Sequence, residues 1–114
     1  MDDVLRQALL FDFYGELLTD HQRTIYEAVV QEDISYSEAA QMFGISRQGV
    51  HEQVKRSDRL LEEYESKLHL VERFLKIREK VQQIQALSAQ WDEMDKKTFV
   101  GQVSELSEQI LEEL

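Results

Sequence analysis

Six polar side chains in one stretch, Arg47, Gln48, His51, Lys55, Arg56 and Arg59, carry the chemistry most suggestive of a task. On a helix that turns them outward, Arg47 and Gln48 would hydrogen-bond base edges, Lys55, Arg56 and Arg59 would hold phosphates, and His51 would stack on or bond to a nucleotide. His51 reads equally well as a plain surface histidine. The chain offers little else that could react. His21, His51 and His69 are far apart, and Glu65 with His69 has a metal-like spacing without a third ligand in reach of the sequence, so no metal or cofactor is expected. There is no phosphate-binding glycine loop, no H-E-x-x-H and no Ser/His/Asp cluster, and no paired buried acid is suggested. The expectation is a non-enzymatic protein.

Those six side chains need a helix, and residues 35–56, SYSEAAQMFGISRQGVHEQVKR, read as two short helices joined by a tight turn. Ser35 and Glu38 have the spacing of a capping box, so the first helix is expected to start at Tyr36. Gly44 stands where the chain leaves that helix, a position that often needs positive φ, and Ser46 can then cap a second helix from Arg47. Ala39 and Ala40 keep the crossing close, while Met42, Phe43, Ile45, Val50 and Val54 are expected to form the apolar seam. This is a helix-turn-helix pattern, with the second helix as the reader. Gly49 falls inside that second helix, at a cost of about 1 kcal/mol relative to alanine in a helix interior.

The spacing from Gly44 through Ile45 to Val50 and Val54 resembles region 4 of bacterial sigma factors, in which the second helix reads promoter DNA. LFDFYGELLTDHQR at 10–23, the helix-turn-helix, and LLEEYESKLHLVERF at 60–74 together resemble the YlxM family of small bacterial proteins. That resemblance spans roughly residues 5–75. It implies a sigma-region-4-like fold and a role in the signal recognition particle pathway, with the particle's RNA as the favoured partner and its GTPase as a further candidate. DNA, as for a transcriptional regulator, is the alternative partner.

The chain has 114 residues, no cysteine, no proline and four glycines, which excludes disulfides and leaves few places for the turns of a sheet protein. An all-α fold is expected. No apolar run approaches the roughly 20 residues a membrane span needs, and the acidic start MDDVLRQ is unlike a secretory leader, so a cytoplasmic setting is expected. A net charge of −10 argues against a nucleic-acid partner until its distribution is considered. Residues 47–80 hold nine of the thirteen Lys and Arg against seven acids, and the remainder holds four against sixteen. The chain is polarised, and the mixed stretch reads either as a solvated face or as a binding stripe.

Two amphipathic helices are expected before the helix-turn-helix, the first over about residues 3–18 and the second capped by Thr19 and closing near Glu32–Asp33. Phe11, Phe13, Tyr14, Tyr26, Tyr36 and Phe43 are expected in the core. From Arg47 to Ala89 there is no proline and only Gly49 as a glycine, so one long central helix is expected, well beyond the ordinary 8–20 or so residues. Leu61, Tyr64, Leu68, Val71 and Leu75 make a seam along it, continued by Ile77, Val81, Ile84 and Leu87. A seam needs a partner. One candidate is internal, a helix carrying Phe99, Val103, Leu106, Ile110 and Leu114 that folds back after Trp91–Lys97. The other is a second copy across a two-fold axis, and a homodimer is expected on that ground. The domain reading is a helix-turn-helix domain over 1–60 and a helical extension, for dimerisation, over 61–114.

Overall fold

The computed structural model describes residues 2–114, and every regular element among them is helical. The order is α1 (Asp3–Tyr14) with a 3-10 turn at Gly15–Leu17, α2 (Asp20–Tyr26) running into a π turn at Glu27–Gln31, α3 (Tyr36–Phe43), α4 (Arg47–Leu68), α5 (Leu70–Ala89), a 3-10 turn at Trp91–Glu93, and α6 (Lys96–Glu113). The chain divides into two compact units, 1–69 and 70–114. Residues 60 and 61 lie within α4, so the unit boundary falls where that helix ends.

Local side-chain chemistry sets most helix starts in the first unit. Thr19 Oγ1 accepts from the Gln22 N–H at 3.1 Å, while Gln22 Oε1 accepts from the Thr19 N–H at 3.0 Å, a complete capping box. The box expected at Ser35 and Glu38 forms by its hydroxyl half, with Ser35 Oγ accepting from the Glu38 N–H at 3.1 Å. Gly44 ends α3 at φ +66°, and Ser46 Oγ starts α4 by accepting from the Gly49 N–H at 2.9 Å. Gly49 is thus a first-turn residue whose N–H is held by the cap, and a Cβ there would meet Ser46 Oγ at 3.1 Å. The interior cost expected for it does not apply in full. Gly44→Val is expected to destabilise the protein by about 1–3 kcal/mol, because a β-branched residue is strained at positive φ. Nothing lies within 4 Å of the added Cβ, so the loss would come from the backbone conformation and not from a clash, and an unchanged melting temperature would contradict the left-handed turn.

Val50, Val54, Ser57 and Leu61 form the buried edge of α4, against which α1, α2 and α3 all pack. Leu10, Tyr14, Leu18, Ile25, Tyr26, Ala28 and Ala39 complete this core. Met42, expected in the seam, is instead 59% exposed near the C-terminal end of α3, where Ala39 is the buried residue. Of the aromatics, Tyr14 and Tyr26 are buried, Phe11 stacks on Tyr26 with ring centroids 5.4 Å apart, and Phe13 is 37% exposed. The buried tyrosines are anchored by acids of α4. Tyr26 Oη donates to Asp58 Oδ1 at 2.7 Å, Gln7 Nε2 donates to the same carboxylate at 3.0 Å, and Tyr14 Oη donates to Glu65 Oε1 at 2.5 Å. Burial and then the bond to Asp58 push the Tyr26 phenol above its ordinary value. Arg6 grips Glu62 through two bonds of 2.6 Å, which hold that carboxyl below the usual glutamate range.

The single long helix expected from Arg47 is divided at His69, which adopts φ +57° and donates its N–H to the Glu65 carbonyl at 2.9 Å. Histidine tolerates the left-handed region better than most residues, so a break formed without glycine or proline. The seam expected along that helix is divided between the two units by the same break. Leu61 and Val71 are 0% and 1% exposed, the Tyr64 ring lies 6.1 Å from that of Tyr14, and Leu75 is half-buried. Leu68 alone of the five is exposed, at 47%.

In the second unit α6 folds back along α5, the internal one of the two partners the apolar spacing leaves open. The helices are antiparallel, for Lys76 early in α5 reaches Glu113 at the end of α6, 4.0 Å away. Asp95 caps α6 by accepting from the Thr98 N–H at 2.7 Å and the Thr98 hydroxyl at 2.8 Å, bonds that hold its carboxyl below the usual range. No helix of the described residues is long and apolar enough to cross a membrane.

Candidate nucleic-acid interface

The buried edge of α4 at 50, 54, 57 and 61 dictates what its other side presents. Arg47, Gln48, Lys55, Arg56 and Arg59 are exposed, as the helical spacing predicts. His51, Lys55, Arg56 and Arg59 come together around one shallow depression that also takes in Glu52, while Arg47 and Gln48 stand one turn away at the N-terminus of the helix. That N-terminus favours anions through its unpaired N–H groups and dipole. None of the four cations Arg47, Lys55, Arg56 and Arg59 forms an ion pair among the described residues, so their donors remain available to a partner.

His51 is less free than an outward position suggests. Its ring meets that of Tyr36, at the start of α3, edge to face at 5.5 Å and 79°, and it is half-buried there. Tyr36, the aromatic whose place the sequence leaves most open, therefore braces the recognition helix. Gln48 Nε2 lies 3.5 Å from Glu52 Oε1, a long bond that leans the amide toward the helix middle.

Charge on α4 is sorted by direction in a way that composition conceals. The helix carries five cations, Arg47, Lys55, Arg56, Arg59 and Lys67, against five acids, Glu52, Asp58, Glu62, Glu63 and Glu65. Asp58 and Glu65 bond to buried tyrosines, Glu62 is held by Arg6, and Glu63 pairs with Lys67 at 3.3 Å. Glu52 is the one acid of α4 outside these contacts, although Lys55 also borders a depression that takes in Asp3, Asp58 and Glu62. The outward face is thus more positive than the near-neutral count of the segment.

Glu52 is the member of this surface that a reading of the cations alone misses, although its spacing of four from both Gln48 and Arg56 marks the same face. A carboxylate there would repel phosphate and can accept from an amino group such as that of cytosine. His21 is missed as well. It joins Ile45, Gly49, Gln53 and Arg56 around a neighbouring depression, and no periodic signal connects the start of α2 to α4.

The model of the UPF0122 family, helix-turn-helix proteins described as YlxM / p13 like, matches residues 1–100. A UPF0122 protein of Caldanaerobacter subterraneus subsp. tengcongensis is 46% identical over 83 residues, which cover 73% of this chain and 71% of that protein. Another, from Symbiobacterium thermophilum, is 52% identical over 71 residues, covering 62% and 66%. A third, from Geobacillus sp. (strain WCH70), is 36% identical over 108 residues, covering 95% and 97%.

Proposed function

The chain belongs to the UPF0122 family of YlxM / p13-like helix-turn-helix proteins, and from that premise we propose that it is a cytoplasmic, non-enzymatic binding protein whose helix α4 engages nucleic acid. The observation that carries this reading is the outward set Arg47, Lys55, Arg56 and Arg59, with Asp58, Glu62 and Glu65 drawn away to Tyr26, Arg6 and Tyr14. Four cations beside a helix N-terminus suit a phosphate backbone. The favoured target is the RNA of the signal recognition particle, alone or with the particle's GTPase, as the YlxM resemblance implies. RNA also fits the net charge of −10, because a folded RNA offers local contacts to a small positive face, whereas a long duplex meets the acidic flanks as well.

A second reading rests on the exposure of Arg47 and Gln48 at the start of α4, where a major-groove reader carries its base-contacting residues. Gel shift against the particle's RNA and a length-matched genomic duplex, in parallel at two salt concentrations, separates the two. The expected result is a salt-dependent shift with the RNA at near-physiological salt and a weaker one with duplex. Preference for a specific duplex would transfer the function to transcription, and no shift with either polymer would leave a protein-only adaptor.

A further inference from the structure

The α5–α6 hairpin is two helices deep, and two helices side by side cannot enclose a core. Ile84, Leu87, Phe99, Val103 and Ile110 all remain partly exposed, and Leu106 is the only buried residue of α6. Along one side the helices frame a groove of ≈ 510 Å³ with Leu87 and Leu106 on its floor. Its walls are polar in a particular way. Lys80 stands on the α5 wall and Glu105 on the α6 wall, with Gln83 and Gln90 on the first and Gln102 and Gln109 on the second. The Oε1 of Gln109 is buried and meets no donor.

We propose that this groove is the contact between two copies of the chain, packed hairpin to hairpin as an antiparallel four-helix bundle. A two-fold axis along the hairpin sets α5 of one copy against α6 of the other with every neighbouring pair of helices antiparallel. The charges then complement themselves, because Lys80 of each copy meets Glu105 of the other. Glutamine suits such a contact for a second reason: a carboxamide both donates and accepts, so the α5 glutamines of one copy can bond to the α6 glutamines of the other. The orphan carbonyl of Gln109 gains access to donors from the second copy, and Leu87 and Leu106 lose their remaining solvent. This contact uses residues other than those of the seam at 61–75.

The test is sedimentation of the full chain across a concentration series, with the charge-reversed variants Lys80→Glu and Glu105→Lys. The unmodified chain should be a dimer. Each single reversal should raise the dimer dissociation constant by about tenfold or more, since like charges brought together across an interface are strongly repulsive. Mixing the two single variants should restore a dimer, because one variant then carries carboxylates at both positions and the other ammonium groups at both, so each cross-copy contact again joins opposite charges. The double variant should dimerise alone. Recovery on mixing cannot come from a misfolded hairpin. A monomeric unmodified chain would overturn the proposal. So would single variants that dimerise as well as the unmodified chain, or monomeric single variants that fail to pair when mixed.

Discussion

Replacing Arg47, Lys55 and Arg56 together by alanine should lower nucleic-acid affinity by about a hundredfold at near-physiological salt, with roughly 1 kcal/mol lost per contact and about 1.4 kcal/mol per factor of ten. All three side chains are exposed and make no ion pair among the described residues, so the melting temperature should move little. The salt dependence carries the sharper information. Each phosphate contact removed should flatten the log–log slope by roughly 0.7 on single strands and roughly 0.9 on duplex DNA, so the change counts how many of the three touch phosphate. Loss of affinity with an unchanged slope would assign them to base edges. Equal binding by the triple variant and the unmodified chain would remove α4 from the interface.

Leu61→Ala should cost roughly 2–5 kcal/mol, the range for a fully buried leucine whose cavity relaxes only in part. Leu68→Ala, about two turns further along α4 at 47% exposure, should stay within about 0.5 kcal/mol. The pair is informative because both leucines belong to one apolar seam when the sequence is read alone. Denaturant titration of each variant gives the comparison, and similar losses at the two sites would contradict the packing of α4 against α1 and α2.

What the sequence by itself determined was local. Thr19 with Gln22, Ser35, Gly44 and Ser46 act within three or four residues of themselves, so the helix starts and the turn of the motif were legible before any contact was known. The outward direction of Arg47, Lys55, Arg56 and Arg59 followed for the same reason, since a helix's period converts the inward positions 50 and 54 into an outward set. The return of α6 along α5 was one of two arrangements left open by the spacing of apolar residues on either side of Trp91–Lys97.

Tertiary structure decided what depends on partners distant in sequence. The partners of Asp58, Glu62 and Glu65 are not legible in sequence, and only the arrival of Tyr26, Arg6 and Tyr14, between 32 and 56 residues away, gives Asp58 and Glu65 tyrosine donors and Glu62 a surface ion pair. The seam has a related limit: periodicity shows that a face is apolar, but not which of its residues the fold buries, as Leu61 at 0% and Leu68 at 47% exposure show. The break at His69 lay beyond sequence reading too, because a residue that merely tolerates the left-handed region gives no signal until the surrounding structure demands the turn there. Short-range geometry is set by covalent spacing and is the same wherever the segment lies. Burial and charge pairing belong to the assembled fold, and they distinguish α4 as a candidate reader from α4 as a charged helix.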